Sequence, residues 1–278
     1  MLAPVLSARK VRCRPICDSD LDAVATLLAR GFPALTRAQW SAGLARIAAL
    51  PPVEDLPRFG HALESADGLA GVLLTIPSRR GARLTVNLSS WYVEPGWRTH
   101  STLLVKTATR RRDVTYLNAS PAPHTWRILK ALGFVPFNHG RSAAFPALAP
   151  GRGRVGEEIP AGLPERELMT LHRALGCVTL VCEKDGMLSP FVFKPRRLAR
   201  PPVKMMELIY CRSTGDFVRC AGPVGRHLLQ RGIMGVILDG EVTGMPARYV
   251  EGKEPRHYKG GTPPPLNDLA FTEKVIFP

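Results

Sequence analysis

Apolar side chains recur along this chain at two spacings, and the switches between them predict its elements. Residues 11–15 read as a short strand. Leu21, Val24, Leu27 and Leu28 follow at helical intervals behind Asp18, Ser19 and Asp20, three candidate N-caps. A second helix is expected over 36–50, with Leu44 and Ile47 on one face, because Pro51-Pro52 cannot continue it. Strands at 60–64 and 69–76 flank Ala66-Asp67-Gly68, a hairpin turn signal. The run RLTVNLSSWYV at 83–93 alternates and is rich in β-branched and aromatic residues, which predicts a long strand. A helix over 101–112 with Leu103, Leu104 and Val105 inward, a short strand over 113–117 and a helix over 125–132 stopped by Gly133 complete this half.

Residues 149–164, APGRGRVGEEIPAGLP, have many Gly and Pro and no periodicity, which predicts a linker and a boundary between domains 1–149 and 150–278. Beyond it the pattern gives a helix over 165–175, a strand pair at 177–183 and 188–194 around Lys184-Asp185-Gly186, and a strand at 206–212. A helix near 217–231, a strand at 235–239 and closing strands at 257–259 and 269–277 follow. The order helix, hairpin, strand, helix, strand repeats that of the first half, so a duplicated fold is expected. Elements in this order imply an α/β or α+β class with a mixed sheet.

Composition bounds the picture further. A chain of 278 residues exceeds what most single cores reach, and 45% hydrophobic with 22% charged residues is a globular balance. The formal charge of +15 raises nucleic acid as a partner, but its distribution argues against one. Residues 1–149 hold 19 basic and 9 acidic side chains and residues 150–278 hold 19 and 14, so there is no basic tail. The runs Arg110-Arg111-Arg112 and Arg196-Arg197 are short and lack interleaved aromatics, as solvated faces do. A basic surface suits an anionic cofactor equally well. The six cysteines are too sparse for a disulfide framework and form no CxxC pair, so reduced thiols and no metal are expected. The opening MLAPVLSARK lacks a signal-peptide core, and no stretch approaches the roughly 18 apolar residues that span a bilayer. A cytoplasmic protein without a membrane partner is the expectation.

The chemistry-bearing text lies at 91–134. Val93-Glu94-Pro95-Gly96-Trp97-Arg98-Thr99-His100-Ser101-Thr102 runs from the long strand into a helix start, where unpaired backbone N–H groups and the positive dipole end bind phosphate. Thr115-Tyr116-Leu117-Asn118 and a helix ending in Leu132-Gly133-Phe134 follow in order. Together these blocks resemble the GNAT superfamily of acyl-CoA N-acyltransferases. The resemblance implies a mixed, mainly antiparallel sheet flanked by helices, and acetyl-CoA or another acyl-CoA as cofactor. Its pyrophosphate would lie at Arg98, Thr99, His100, Ser101 and Thr102, with the pantetheine arm between two splayed strands beside the backbone of Tyr92 and Val93 and beside Asn118. The family pattern [QR]-x-x-G-x-[GA] here has Ser101 and Leu103 where small residues are usual, and Leu129 stands where the family's tyrosine acid would be.

Transfer to an amine requires a group that takes its proton. Glu94 at the strand end is the first candidate, against the reading of a solvent-facing turn residue. His124 or His100 would serve in its place, against the reading of surface histidines. In the second half, Arg219-Cys220-Ala221-Gly222 superficially resembles R-x-x-G but falls within a helical run. The stretch 269–277 looks like a last GNAT strand, which makes this half GNAT-like but degenerate, a part that shapes the acceptor cleft. Arg248-Tyr249, Arg256-His257-Tyr258-Lys259-Gly260-Gly261 and the proline run 263–265 read as exposed loop or groove lining. The expected function is acyl transfer to a small-molecule or peptide amine by a monomer or homodimer. The alternative is a non-catalytic scaffold on a decayed GNAT pair.

Overall fold

The computed structural model describes residues 11–197 and 203–277; the ten N-terminal residues on which the leader reading rests lie outside them. The first half contains β1 (Arg12–Pro15), α1 (Leu21–Gly31), α2 (Arg37–Ala48), β2 (Gly60–Ser65), β3 (Gly68–Arg80), β4 (Arg83–Val93), α3 (Ser101–Ala108), β5 (Thr115–Asn118), α4 (Trp126–Ala131) and β6 (Val135–Ala144). The second half contains β7 (Arg154–Gly156), α5 (Arg166–Ala174), β8 (Val178–Lys184), β9 (Met187–Arg197), β10 (Lys204–Tyr210), α6 (Thr214–Leu229), β11 (Gly235–Asp239), β12 (Ala247–Lys259) and α7 (Glu273–Ile276).

Local chemistry explains many of these bounds. Thr36 and Gln39 form a reciprocal capping box that starts α2, the Thr36 amide donating to the Gln39 side chain at 2.8 Å. Asp185 (φ 51) and Gly186 (φ 71) both adopt the left-handed conformation that a two-residue hairpin between β8 and β9 requires. Pro223 lies inside α6 and supplies no N–H for the Arg219 carbonyl; the Lys184 ammonium donates to that carbonyl instead, at 2.8 Å.

All twelve strands form one sheet in the order β1-β2-β3-β4-β5-β12-β6-β11-β10-β9-β8-β7. The order is palindromic. From each edge come four antiparallel strands and a fifth that is parallel to the fourth: β4 with β5 and β10 with β11. The two central strands are exchanged, because β12 of the second half pairs with β5 and β6 of the first, and β6 pairs with β11 of the second. Helices cover both faces, so strands such as β3 are buried along most of their length. One core joins α1 and α2 to β3 and a second joins α3 and α4 to β3 and β4. The other half has its own pair of cores, around α6 and around α5.

Several expectations are corrected. Residues 269–277 are not a strand: Phe271 takes φ 59, and a short helix follows Thr272. The apolar residues Leu269, Val275 and Phe277 are buried in two different cores, which a straight strand could not reach. Of the polar, aromatic residues expected in a loop or groove lining, Arg248, Tyr249 and Arg256 lie in β12 at the centre of the sheet, with Arg256 fully buried, and the strand expected at 257–259 is the end of β12. Strand β6 was not foreseen, and the expected linker carries the edge strand β7. Leu103 faces outward, since α3 ends at Ala108 and only Leu104 and Val105 reach the core. Asp18, Ser19 and Asp20 form a 3₁₀ turn rather than a single cap. Gly222 and Gly225 serve packing, because a Cβ at Gly225 would collide with the backbone of Pro146 and Ala147.

Candidate functional site

Strands β4 and β5 pair in parallel for only three positions, Thr85 with Thr115, Val86 with Tyr116 and Asn87 with Leu117. They then part. β4 continues against β3 alone as far as Val93, while Asn118 of β5 turns to pair with His257 of β12. A bulge marks the branch point: Leu73 faces Trp91 and Leu74 faces Ser89, leaving Ser90 as an extra residue with φ 43. The divergence opens a cleft of about 210 Å³ between Ser89, Ser90 and Trp91 on one side and Asn118 and Ser120 on the other, with His124 and Leu129 also in its wall.

The structure brings two of the sequence-derived candidates, Asn118 and His124, into this cleft. His124 is exposed, at the 3₁₀ turn before α4. Tyr92 and Val93 occupy the end of β4. The Tyr92 hydroxyl donates to one Glu94 oxygen at 3.1 Å, and Arg30 holds the other at 2.9 Å. Both Glu94 oxygens are thus engaged, and Glu94 does not line the cleft. Burial pushes the Tyr92 phenol above its usual range, and the Glu94 carboxylate adds to the effect. Arg98, Thr99 and His100 lie on the 3₁₀ turn Pro95–His100, which runs directly into α3. Arg98 and Thr99 are exposed, the His100 ring is 3.1 Å from the Thr99 hydroxyl, and Arg98 has no ion-pair partner among the described residues. Ser101 and Thr102 begin α3; the Ser101 amide already donates to the Arg98 carbonyl and the Trp97 amide to that of Glu94. Backbone donors at this helix start are thus already engaged within the turn. Leu129 is 1% exposed and makes the cleft wall apolar where the resemblance would put a phenol.

One acid in this cleft was missed by the sequence reading. Glu273 comes from the far end of the chain on α7, receives a hydrogen bond from Asn87 Nδ2 at 2.6 Å and another from the Ser120 hydroxyl, and pairs with no cation among the described residues. Its one sequence signal was Thr272 followed by an acid, which is a helix start and not a strand.

The matching gap in the second half is closed by the chain itself. β10 and β11 pair in parallel from Met205 with Gly235 to Glu207 with Ile237, and the segment 267–269 enters the space beyond. The Leu269 amide donates to the Ile209 carbonyl at 2.7 Å and the Cys211 amide to that of Asn267 at 3.3 Å. The Asn267 side chain accepts from the Asp239 amide at 2.6 Å and donates to the Asp239 carbonyl at 3.2 Å. Helix α6 is capped internally by Ser213 and carries Asp216 in its first turn, an arrangement unfavourable to phosphate.

No protein-family model matches the sequence, and no curated protein matches it. Solved structures do resemble the fold. A GCN5-related N-acetyltransferase (GNAT) from Anabaena variabilis superimposes with a TM-score of 0.62 at 9% identity, over 90% of this chain and 72% of that one. A GNAT from Kribbella flavida gives 0.56 at 16% identity, over 90% and 71%. Eis1 from Mycobacterium abscessus gives 0.53 at 12% identity, over 90% and 73%. The chain has the GNAT fold.

A second cleft of about 520 Å³ adjoins the open gap of this GNAT fold and shares Ser90, Ser120 and Glu273 with it. Its far wall carries Lys194 and Arg196 of β9, and Trp40 and Phe277 supply an aromatic surface with ring centroids 4.9 Å apart. Behind it lies a buried ionic cluster. Glu207 meets Arg141 at 2.6 Å, Arg196 at 2.8 Å and Lys274 at 2.9 Å, while Arg256 meets Asp239 at 2.9 Å. Burial opposes ionisation of Glu207, but Arg141, Lys274 and Arg196 outweigh it and hold its carboxyl at about 2. Among the described residues no group of three or more His, Cys, Asp or Glu is placed to hold a metal ion, and no helix is long and apolar enough to cross a membrane.

Proposed function

We propose that this protein is an acyl-CoA-dependent N-acyltransferase, with a cofactor cleft in the first half and a second half that walls the acceptor side. The observation that carries this reading is the asymmetry of the two gaps: the one between β4 and β5 is open and meets a second cleft, while its counterpart between β10 and β11 is filled by residues 267–269. On this reading 1–149 and 150–278 are two GNAT-like units that exchange their last strands, and the filled unit has given up its own cofactor.

Acyl-CoA would supply the activated thioester. Tyr92, Val93 and Asn118 would flank its pantetheine arm, and Arg98 with the start of α3 would face its phosphates. The acceptor is an amine, on a small molecule or a peptide. As the C–N bond forms and the C–S bond breaks, the nitrogen must lose a proton. Glu273 would take it: it lines both clefts and is held by two neutral donors and by no cation among the described residues. Glu94 is tied to Arg30, and His124 stands at the exposed end of the cleft, where it can return a proton to the leaving thiolate. Isothermal titration of the full chain with acetyl-CoA tests the cofactor site: saturable heat that Arg98→Ala weakens is expected, and no heat up to millimolar acetyl-CoA would overturn the reading.

A further inference from the structure

We infer that the second cleft is an acceptor site for an amine that also carries an anionic group, a zwitterion of the amino-acid type. The inference rests on the acyl-transfer reading for its chemistry and shares Glu273 with it, while its anion-binding end stands on Lys194, which that reading does not use.

The ionic cluster of the described residues has four cations, Arg141, Arg196, Arg256 and Lys274, against three carboxylates, Glu207, Asp239 and Glu254, and two further charged groups of the cleft stand outside its ion pairs. Glu207 is saturated by Arg141, Arg196 and Lys274, and Arg196 is shared between Glu207 and Glu254. Glu273, at the end shared with the cofactor cleft, accepts from the neutral donors Asn87 and Ser120 and is in no ion pair among the described residues. Among the described residues, Lys194 on the β9 wall is in no ion pair and donates to the backbone carbonyls of Lys274 and Phe277. An ammonium carries three donors, so one remains for a ligand. A single cleft thus presents one negative and one positive side chain that are in no ion pair among the described residues, each half-buried.

A simple amine would satisfy Glu273 and leave Lys194 without an ion-pair partner among the described residues. An amine that carries an acid satisfies both, with its nitrogen at Glu273 next to the thioester and its anion at Lys194. The aromatic surface of Trp40 and Phe277 lies in the same wall and suits the carbon skeleton between or beside the two charges. Burial lowers the Lys194 pKa from its ordinary value, a cost that a bound anion would offset.

The experiment compares acceptor pairs that differ only in the acid. The full chain without cofactor is titrated with phenylalanine against phenethylamine and with lysine against cadaverine, using wild type, Lys194→Met and Lys194→Arg. In at least one pair the acid-bearing member should bind tenfold or more tightly to wild type. Lys194→Met should remove that preference and Lys194→Arg should retain it, with melting temperatures confirming that both variants fold. Equal affinity within both pairs, binding of the decarboxylated amines alone, no binding of either member, or a preference that survives Lys194→Met overturns the inference. A separate acetyl-CoA titration distinguishes the two proposals. Amino-acid binding without acetyl-CoA binding would refute acyl transfer and leave the zwitterion site standing, and the reverse would refute only the site.

Discussion

At Glu273 and Glu94 the same functional group sits in two environments, and the difference assigns them different work. Arg30 pairs with Glu94, whereas Glu273 has neutral donors only among the described residues, so Glu273→Gln should lower kcat with acetyl-CoA and an accepted amine by about 10²-fold or more. Acetyl-CoA affinity should be unchanged, and Glu94→Gln should have the smaller effect on kcat; steady-state kinetics with titration calorimetry checks both. A second residue-scale prediction concerns Glu207. Its carboxyl is held at about 2, below its ordinary 4.5, so the stability that it contributes is fully present above pH 4.5 and is lost as pH falls towards 2. Melting curves from pH 7 to 2 should show that acid loss in wild type and a flatter profile in Glu207→Gln. The variant should also start about 3 kcal/mol less stable at neutral pH, because Arg141 and Lys274 lose a buried partner. The sequence disclosed the places of Asn118 and His124 through the order of two motif blocks. It did not disclose Glu273, which lies 155 positions beyond Asn118 and reaches the cleft only through tertiary packing.

Elements with strong local signals were legible to within a few residues. The strand at 83–93 and the strand at 235–239 were foreseen at their observed bounds, since β-branched alternation and a short apolar run between turn residues are unambiguous. β6 and most of β12 were not foreseen. Their sequences mix Pro, Gly and charged residues, and what makes them strands is a partner on each side rather than propensity. Helix α6 offers a test at this scale. Its Pro223 leaves the Arg219 carbonyl dependent on Lys184, so Lys184→Met should destabilise the fold by about 1 kcal/mol, read from urea midpoints. Gly225→Ala should cost more than Lys184→Met, because the added methyl meets the backbone of Pro146 and Ala147. A Gly225→Ala midpoint equal to wild type would contradict the packing described for this helix.

Across the whole molecule, the exchange of β6 and β12 makes each half depend on the other. A fragment of residues 1–149 would leave β5 and β6 without β12 between them. Expressed alone, it should give aggregates or oligomers rather than a folded monomer in size-exclusion chromatography and circular dichroism. The full chain should melt in one cooperative transition by calorimetry. The repeated order of elements announced two related halves, yet it could not announce which strands cross between them, because register and exchange are decided by pairing over more than 100 residues. The same scale decides function, since one gap of the palindrome is open and the other is filled by the chain. A crystal structure of the full chain soaked with acetyl-CoA tests this most directly. The account predicts the pantetheine arm between β4 and β5, with the thioester near Ser90 and Glu273 and nothing between β10 and β11. An arm bound between β10 and β11, or an empty β4–β5 gap at saturating acetyl-CoA, would contradict it.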